Sequence, residues 1–302
     1  MTDRLILAIP SKGRLQEQVE HYFADAGMGL KKASGARGYR ADMSGFADVD
    51  VMLLSAGEIA GALLAGEVHF GITGEDLIRE AAPVLDGRVA LLKALGFGHA
   101  DVVVAVPRSW IDVTRVADLD DVCAAFFQRH RRRLRVATKY VTLTRAFFAE
   151  KGISEYRIVE SAGATEGAPS AGAAEAIVDI TSTGATLAAN GLKVLDDGII
   201  LQSQAQLAMS LKSTWPLAVR RSAERMLTRL AARECAKASL TLRARMNGET
   251  SETSILVPRG ALMDAVQELR TKGCQTITAH DADYVFEAAP PILATFASAL
   301  AG

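Results

Sequence analysis

Between positions 166 and 187 the chain reads EGAPSAGAAEAIVDITSTGATL. The run 176–180 is apolar, of strand length, and ends on Asp179-Ile180. Thr181, Ser182, Thr183 and Gly184 follow, small residues with three hydroxyls and one glycine. Ala185, Thr186 and Leu187 open a helix-forming run to Asn190, and Gly191 is a natural stop. A strand, a hydroxyl-rich turn and a helix start bring N–H groups, hydroxyls and a positive helix end to one point. A phosphate monoester needs that combination. A carboxylate at Asp179 would repel such a phosphate unless it had separate work. Accepting hydrogen bonds from a ribose cis-diol is work of that kind, and Glu166 can share it. The competing reading is an ordinary strand-to-helix turn in which Thr183 caps a helix.

Other charged turns repeat the theme. After the strand expected at 4–9, Pro10-Ser11-Lys12-Gly13-Arg14 is a basic glycine turn before a helix at 15–26. That again makes an anion site at a helix start, although solvated turn cations are the commoner use of Lys12 and Arg14. Positions 31–40, KKASGARGYR, hold Arg37 and Arg40 in a second basic segment. Further on, GITGEDLI places Gly74 where a close backbone approach is possible. Glu75 and Asp76 then stand in the first turn of a helix, where complementing the helix dipole competes with direct ligand contact.

Taken together, Glu166, Gly172, Ala174, Ile177, Asp179, Ile180, Thr183, Gly184, Thr186 and Leu187 stand at the spacing E-x5-G-x-[small]-x2-[IV]-x-D-[aliphatic]-x2-[ST]-G-x-T-L. This resembles the signature of the ATP phosphoribosyltransferases, with every fixed position filled. PSKGRL, GITGED and RVATKY, which contains Lys139, resemble further motifs of that family. The resemblance implies transfer of phosphoribosyl from phosphoribosyl pyrophosphate to N1 of ATP, the first step of histidine biosynthesis. It implies Mg²⁺ with the leaving pyrophosphate and a 5′-phosphate held by Thr181, Ser182, Thr183, Gly184, Ala185 and Thr186. Glu166 and Asp179 would take the ribose hydroxyls, one or both through the metal. Lys12, Arg14, Arg37 and Arg40 would meet the polyphosphates, with Gly74, Glu75, Asp76 and Lys139 as further substrate contacts. No covalent nucleophile is required. The chain departs from the family pattern at Ser55-Ala56-Gly57-Glu58-Ile59-Ala60 and at His69, where an Asp is usual.

The chain has 302 residues, 49% hydrophobic and 23% charged, enough for two or three domains. A net charge of −1 provides no overall field for nucleic acid or acidic membranes. The basic run Arg129-His130-Arg131-Arg132-Arg133 reads as the solvated end of a helix. Cys123, Cys235 and Cys274 are scattered and the five histidines lack metal-ligand spacing, so neither disulfides nor zinc is expected and a reducing cytoplasm fits. No apolar run has signal-peptide or membrane-span length.

Strands are expected at 49–54, near 70–74, and at 89–95, 101–107, 134–138 and 156–160, with helices at 58–65, within 113–132 and at 143–151. The alternation argues an α/β protein with parallel sheets. Two lobes of the plan shared with periplasmic binding proteins follow, with a cleft between them. Lobe I takes 1–107 and 191–221, and lobe II takes 108–190. Residues 222–302 form a small α+β C-terminal domain, regulatory or assembly in role. Within it a helix is expected at 222–236, a polar loop at 241–253, strands at 254–257, 274–279 and 284–287, and helices at 261–271 and 292–300. ILVPRGALMDAVQELRTKGCQTI resembles half of the ferredoxin-like regulatory domain of the family's long form. That implies histidine as inhibitor and dimers that assemble to hexamers. The short form works instead with a histidyl-tRNA-synthetase-like subunit. A non-catalytic two-lobed binding or regulatory protein is the alternative; the filled signature and the missing helix-turn-helix segment argue against it.

Overall fold

The computed structural model describes residues 4–32, 39–82, 84–85, 87–161, 163–246 and 252–301. In chain order, β1 (Leu5–Pro10) and α1 (Gly13–Asp25) lead to β2 (Leu30–Lys32), β3 (Arg40–Met43) and β4 (Val49–Leu54). Next come α2 (Ala56–Ala65), β5 (Phe70–Gly74), α3 (Glu75–Ala81), β6 (Val89–Ala94) and β7 (Ala100–Pro107). These are followed by α4 (Val116–His130), β8 (Leu134–Thr138), α5 (Val141–Glu150), β9 (Tyr156–Glu160), β10 (Ala176–Thr181) and α6 (Ala185–Ala189). β11 (Leu192–Ser203) and β12 (Ala205–Ser210) precede α7 (Leu217–Ala238), β13 (Ser239–Met246), β14 (Glu252–Pro258), α8 (Leu262–Thr271), β15 (Cys274–His280) and α9 (Pro291–Ala301). No helix of the described residues is long and apolar enough to cross a membrane.

The chain forms two compact units. One comprises Ala8–Gln18 and Leu53–Ser213 and carries the signature stretch. Its strands run in the orders β1-β5-β12-β6 and β11-β7-β10-β8-β9. β7 is the spine of the second order. Val102, Val104 and Val106 point into one core and Val103 and Ala105 into another, so DVVVAV is apolar throughout because both its faces are covered. The parallel pairings expected of an α/β protein are present, joined by antiparallel ones. β8 pairs parallel with β9, to which α5 joins it, and with β10, but β7 runs antiparallel to β10 and β11. β12 is antiparallel to β5 and β6. A helical crossover returns the chain in the same direction, whereas a strand that arrives without one can pair the other way. The same pairing puts β7 and β11 in the five-stranded sheet, although the sequence reading assigned 100–107 and 191–203 to lobe I.

The other unit comprises Met1–Leu7, Val19–Met52 and Thr214–Gly302. β2, β3 and β4 are antiparallel neighbours, with the first half of β1, which divides between the units after Leu7, next to β4. α7 buries Val219, Ala223, Met226, Leu227 and Leu230 along one face. Asp25 at the end of α1 takes Arg233 and Lys237 of α7 at 3.0 and 2.6 Å, and these partners hold its carboxyl down at about 2. β14, β13 and β15 form a three-stranded sheet in that order, with β14-α8-β15 as a β-α-β unit split by antiparallel β13. This is the half that resembled a ferredoxin-like domain. Residues 241–253, expected as loop, include most of β13 and the start of β14. Buried Leu242 and Ala244 alternate there with exposed Arg243 and Arg245, a period-two pattern obscured by its polar half. Residues 284–287, expected as a strand, are irregular. Tyr284 instead donates to the Ala26 carbonyl at 3.0 Å and accepts from Arg229 at 3.3 Å.

Candidate active site

Lys139, Gly163, Ala164, Thr165, Glu166, Asp179, Ile180, Thr181, Ser182, Thr183, Thr186 and Leu187 line one cavity of about 450 Å³. Three elements build it. β10 carries Asp179 opposite Val103 of β7 and ends in the hydroxyl turn. β8 ends at Thr138, so Lys139 emerges exposed just beyond it. Glu166 sits on a 3₁₀ turn, Thr165–Gly167, whose buried Thr165 donates to the Ser161 hydroxyl at 3.0 Å.

The turn is closed from within. Thr181 Oγ1 accepts the Gly184 N–H at 2.8 Å, and Thr183 Oγ1 accepts the Ala185 N–H at 3.4 Å. Ser182 donates its hydroxyl to the His99 carbonyl at 2.9 Å. Gly184 has φ +73°, and a methyl group there would meet nothing, so glycine serves the left-handed backbone rather than a close approach. Burial raises the Asp179 carboxyl above its ordinary range. The Ile180 N–H, at 2.8 Å, and the Lys139 ammonium oppose that rise, while Glu166 adds to it. The cavity thus sets two carboxyls, one ammonium and several hydroxyls around one space.

A second network supports the Glu166 side. Glu175 accepts from the Arg135 guanidinium at 2.7 Å, the Arg135 N–H at 2.7 Å and Arg132 at 3.0 Å. Burial alone would raise the Glu175 carboxyl, but these donors prevail and hold it at about 2. Arg135 also donates to the Gly172 carbonyl at 2.8 Å, tying the loop between Glu166 and β10 to the edge of β8. Sequence reading missed this pair, because two charges 40 residues apart carry no local signal.

The remaining sequence candidates lie elsewhere. Lys12 before α1 and Arg14 in its first turn are exposed and do not line this cavity; hydrogen bonds from Ser55 lower the Glu58 carboxyl, and the Lys12 charge adds a smaller pull. Arg40 is exposed at the start of β3 in the other unit, and Arg37 lies outside the described residues. Gly74, Glu75 and Asp76 do not line this cavity either. Glu75 pairs with Arg79 at 2.6 Å and accepts from Gln206 at 2.8 Å. Asp76, expected among the substrate contacts, is buried with both carboxylate oxygens hydrogen-bonded to Tyr140 and Ser203. The divergent segment at 55–60 starts a helix: Ser55 and Glu58 form a reciprocal capping box.

A family model described as HisG: ATP phosphoribosyltransferase matches residues 55–232. The ATP phosphoribosyltransferase of Caulobacter vibrioides is 50% identical, over 99% of each chain. That of Bradyrhizobium diazoefficiens is 50% identical, over 97% of this chain and 98% of its own. The chain belongs to the ATP phosphoribosyltransferase family. Among solved structures, the ATP phosphoribosyltransferase (HisG:HisZ) complex from Thermotoga maritima contains a similar chain. It has a TM-score of 0.56 and 25% identity, over 75% of this chain and 95% of that one. The α/β fold and the filled signature therefore agree with the family, whose members are glycosyltransferases of the first step in histidine biosynthesis.

Proposed function

We propose that this chain transfers the phosphoribosyl group of phosphoribosyl pyrophosphate to N1 of ATP, with the cavity around Asp179 as the phosphoribosyl site. The convergence of the hydroxyl turn, Lys139, Glu166 and Asp179 on that cavity carries the reading. The 5′-phosphate lies on the turn 181–186, where hydroxyls and N–H groups converge. Asp179 and Glu166 accept from the ribose hydroxyls, which fixes the sugar ring for in-line attack. The bond from C1 to the pyrophosphate oxygen breaks with its electron pair leaving on pyrophosphate. The N1 lone pair of the adenine forms the new bond to C1. Charge develops on both sides of C1, so the carboxylates favour the ribosyl cation-like state and cations favour the leaving group. Lys139 is the cation of this cavity; Lys12, Arg14, Arg37 and Arg40 would serve the polyphosphates.

Mg²⁺ fits this arrangement chiefly as a partner of the substrate. The described residues assemble no cluster of three or more metal-binding side chains, but Asp179 and Glu166 offer two carboxylates. A hard cation held by one or two carboxylates plus phosphate oxygens is the usual state of Mg²⁺. When bound, it neutralises the leaving pyrophosphate.

The chain carries its own sheet and helices beyond residue 238, which supports the form with regulation in the same polypeptide. In this reading histidine is the inhibitor and the enzyme is a homo-oligomer, from dimer to hexamer, without a histidyl-tRNA-synthetase-like subunit. The test is pyrophosphate release from ATP, phosphoribosyl pyrophosphate and Mg²⁺, with and without histidine. Turnover suppressed by histidine is expected. A folded chain without turnover overturns the catalytic reading, and turnover indifferent to histidine overturns the regulatory one.

A further inference from the structure

Asp76 stands near the start of α3 with its side chain only 3% exposed. One carboxylate oxygen accepts from the Tyr140 hydroxyl at 2.7 Å and the other from the Ser203 hydroxyl at 2.7 Å. Gly74 leaves room for this arrangement, because a methyl group at that position would overlap the Asp76 carboxylate. Tyr140 is itself 1% exposed. Its N–H donates to Thr138 Oγ1 at 2.8 Å, and its carbonyl accepts from Thr144 Oγ1 at 2.5 Å. Burial and the Asp76 charge push its phenol pKa upward, so the hydroxyl stays a donor. The Lys139 ammonium lies over the Tyr140 ring, 5.0 Å from its centre. Lys139 in turn lines the cavity beside Asp179.

We propose that Asp76 and Tyr140 are positioning residues that hold the Lys139 ammonium over the cavity for the anionic phosphate oxygens of the substrate. Asp76 anchors the phenol, the anchored ring carries the ammonium by cation–π attraction, and the rigid Tyr140 backbone fixes the residue before it. A free lysine loses much rotamer freedom on meeting a phosphate; one already seated on a ring loses less. The effect therefore falls on binding more than on the bond-breaking step. The inference rests on the phosphoribosyl reading of the cavity.

The test is calorimetric binding of phosphoribosyl pyrophosphate with Mg²⁺, supplemented by steady-state kinetics and thermal melts. Tyr140→Phe keeps the ring but releases it from Asp76. It should weaken binding roughly tenfold and raise KM, with kcat within about twofold. Asp76→Asn, which keeps an acceptor for the phenol, should restore much of the binding lost in Asp76→Ala. In a Lys139→Ala background, Tyr140→Phe should add no further loss. A merely structural role would lower Tm in both backgrounds without this dependence on Lys139. An equal loss in both backgrounds overturns the inference, as does wild-type binding by Lys139→Ala. Wild type that binds the ligand but releases no pyrophosphate defeats the functional reading alone, and the binding cycle still decides this one. Wild type that does not bind defeats both.

Discussion

Asp179 follows three fully buried residues of β10, yet its own side chain lines the cavity. Its hydrogen bond among the described residues comes from the adjacent Ile180 N–H, so it ties no distant elements together. Asp179→Ala should therefore lose most of kcat/KM while the melting temperature changes little; wild-type-like kinetics would remove Asp179 from the site. Glu175 is the opposite case, a carboxylate whose partners are all structural. Its folded pKa of about 2 lies below the ordinary 4.5. A depressed carboxylate stabilises the fold above its unfolded pKa, and that stability is lost as pH falls from about 4.5 to about 2. Glu175→Gln should cost about 1–2 kcal/mol at neutral pH, discounted for partial solvation, and should flatten the acid side of the stability curve. Denaturant midpoints across that pH range check it.

At the scale of elements, the cavity depends on how turns are held. α5 follows Lys139 and Tyr140, and its first N–H groups are capped from another helix: Glu80 of α3 accepts from Thr142 and Leu143 at 2.8 and 3.0 Å. A side chain replaces the missing turn of helix, and this cap joins the Asp76 contact in binding α3 to α5. Glu80→Ala should cost about 1 kcal/mol by loss of the cap. It should raise amide exchange at Thr142 and Leu143 more than elsewhere, and unchanged exchange there would exclude a capping role. α6 is short, spanning only Ala185–Ala189. Thr181 and Thr183 close the turn on themselves, so it is shaped before a ligand arrives.

At the scale of the whole molecule, the C-terminal region is folded onto its own unit. Phe296 of α9 is 1% exposed and meets the Trp215 ring edge-on at 5.4 Å. Phe296→Ala should cost about 3–5 kcal/mol, as expected for deleting a buried aromatic ring. A chemical denaturation curve checks this, and a loss below about 1 kcal/mol would mean that α9 contributes little to stability. Tyr284 and Arg229 close the irregular segment against Ala26, which ties residues far apart in sequence into one body.

Local chemistry made much of this legible in the chain. The strand at 176–180, which the structure extends to Thr181, the glycine at 184 and the helix starting at 185 declare themselves because each depends on neighbours in sequence. The joining of Asp179 and Glu166 was also readable, since the signature carries both at a set spacing. Only the tertiary structure showed the partners of Asp76. GITGED reads equally as ligand contact or helix start until Tyr140 and Ser203, 64 and 127 residues away, take both its oxygens. It alone showed the Arg135–Glu175 tie and the antiparallel course of β7, since strand direction depends on where the chain returns. It also revealed β13, whose alternating arginines looked like a loop until one face was buried. Sequence determines what each residue can do within a few neighbours; distant partners decide which of those options a buried polar group takes, because leaving it unpaired costs too much.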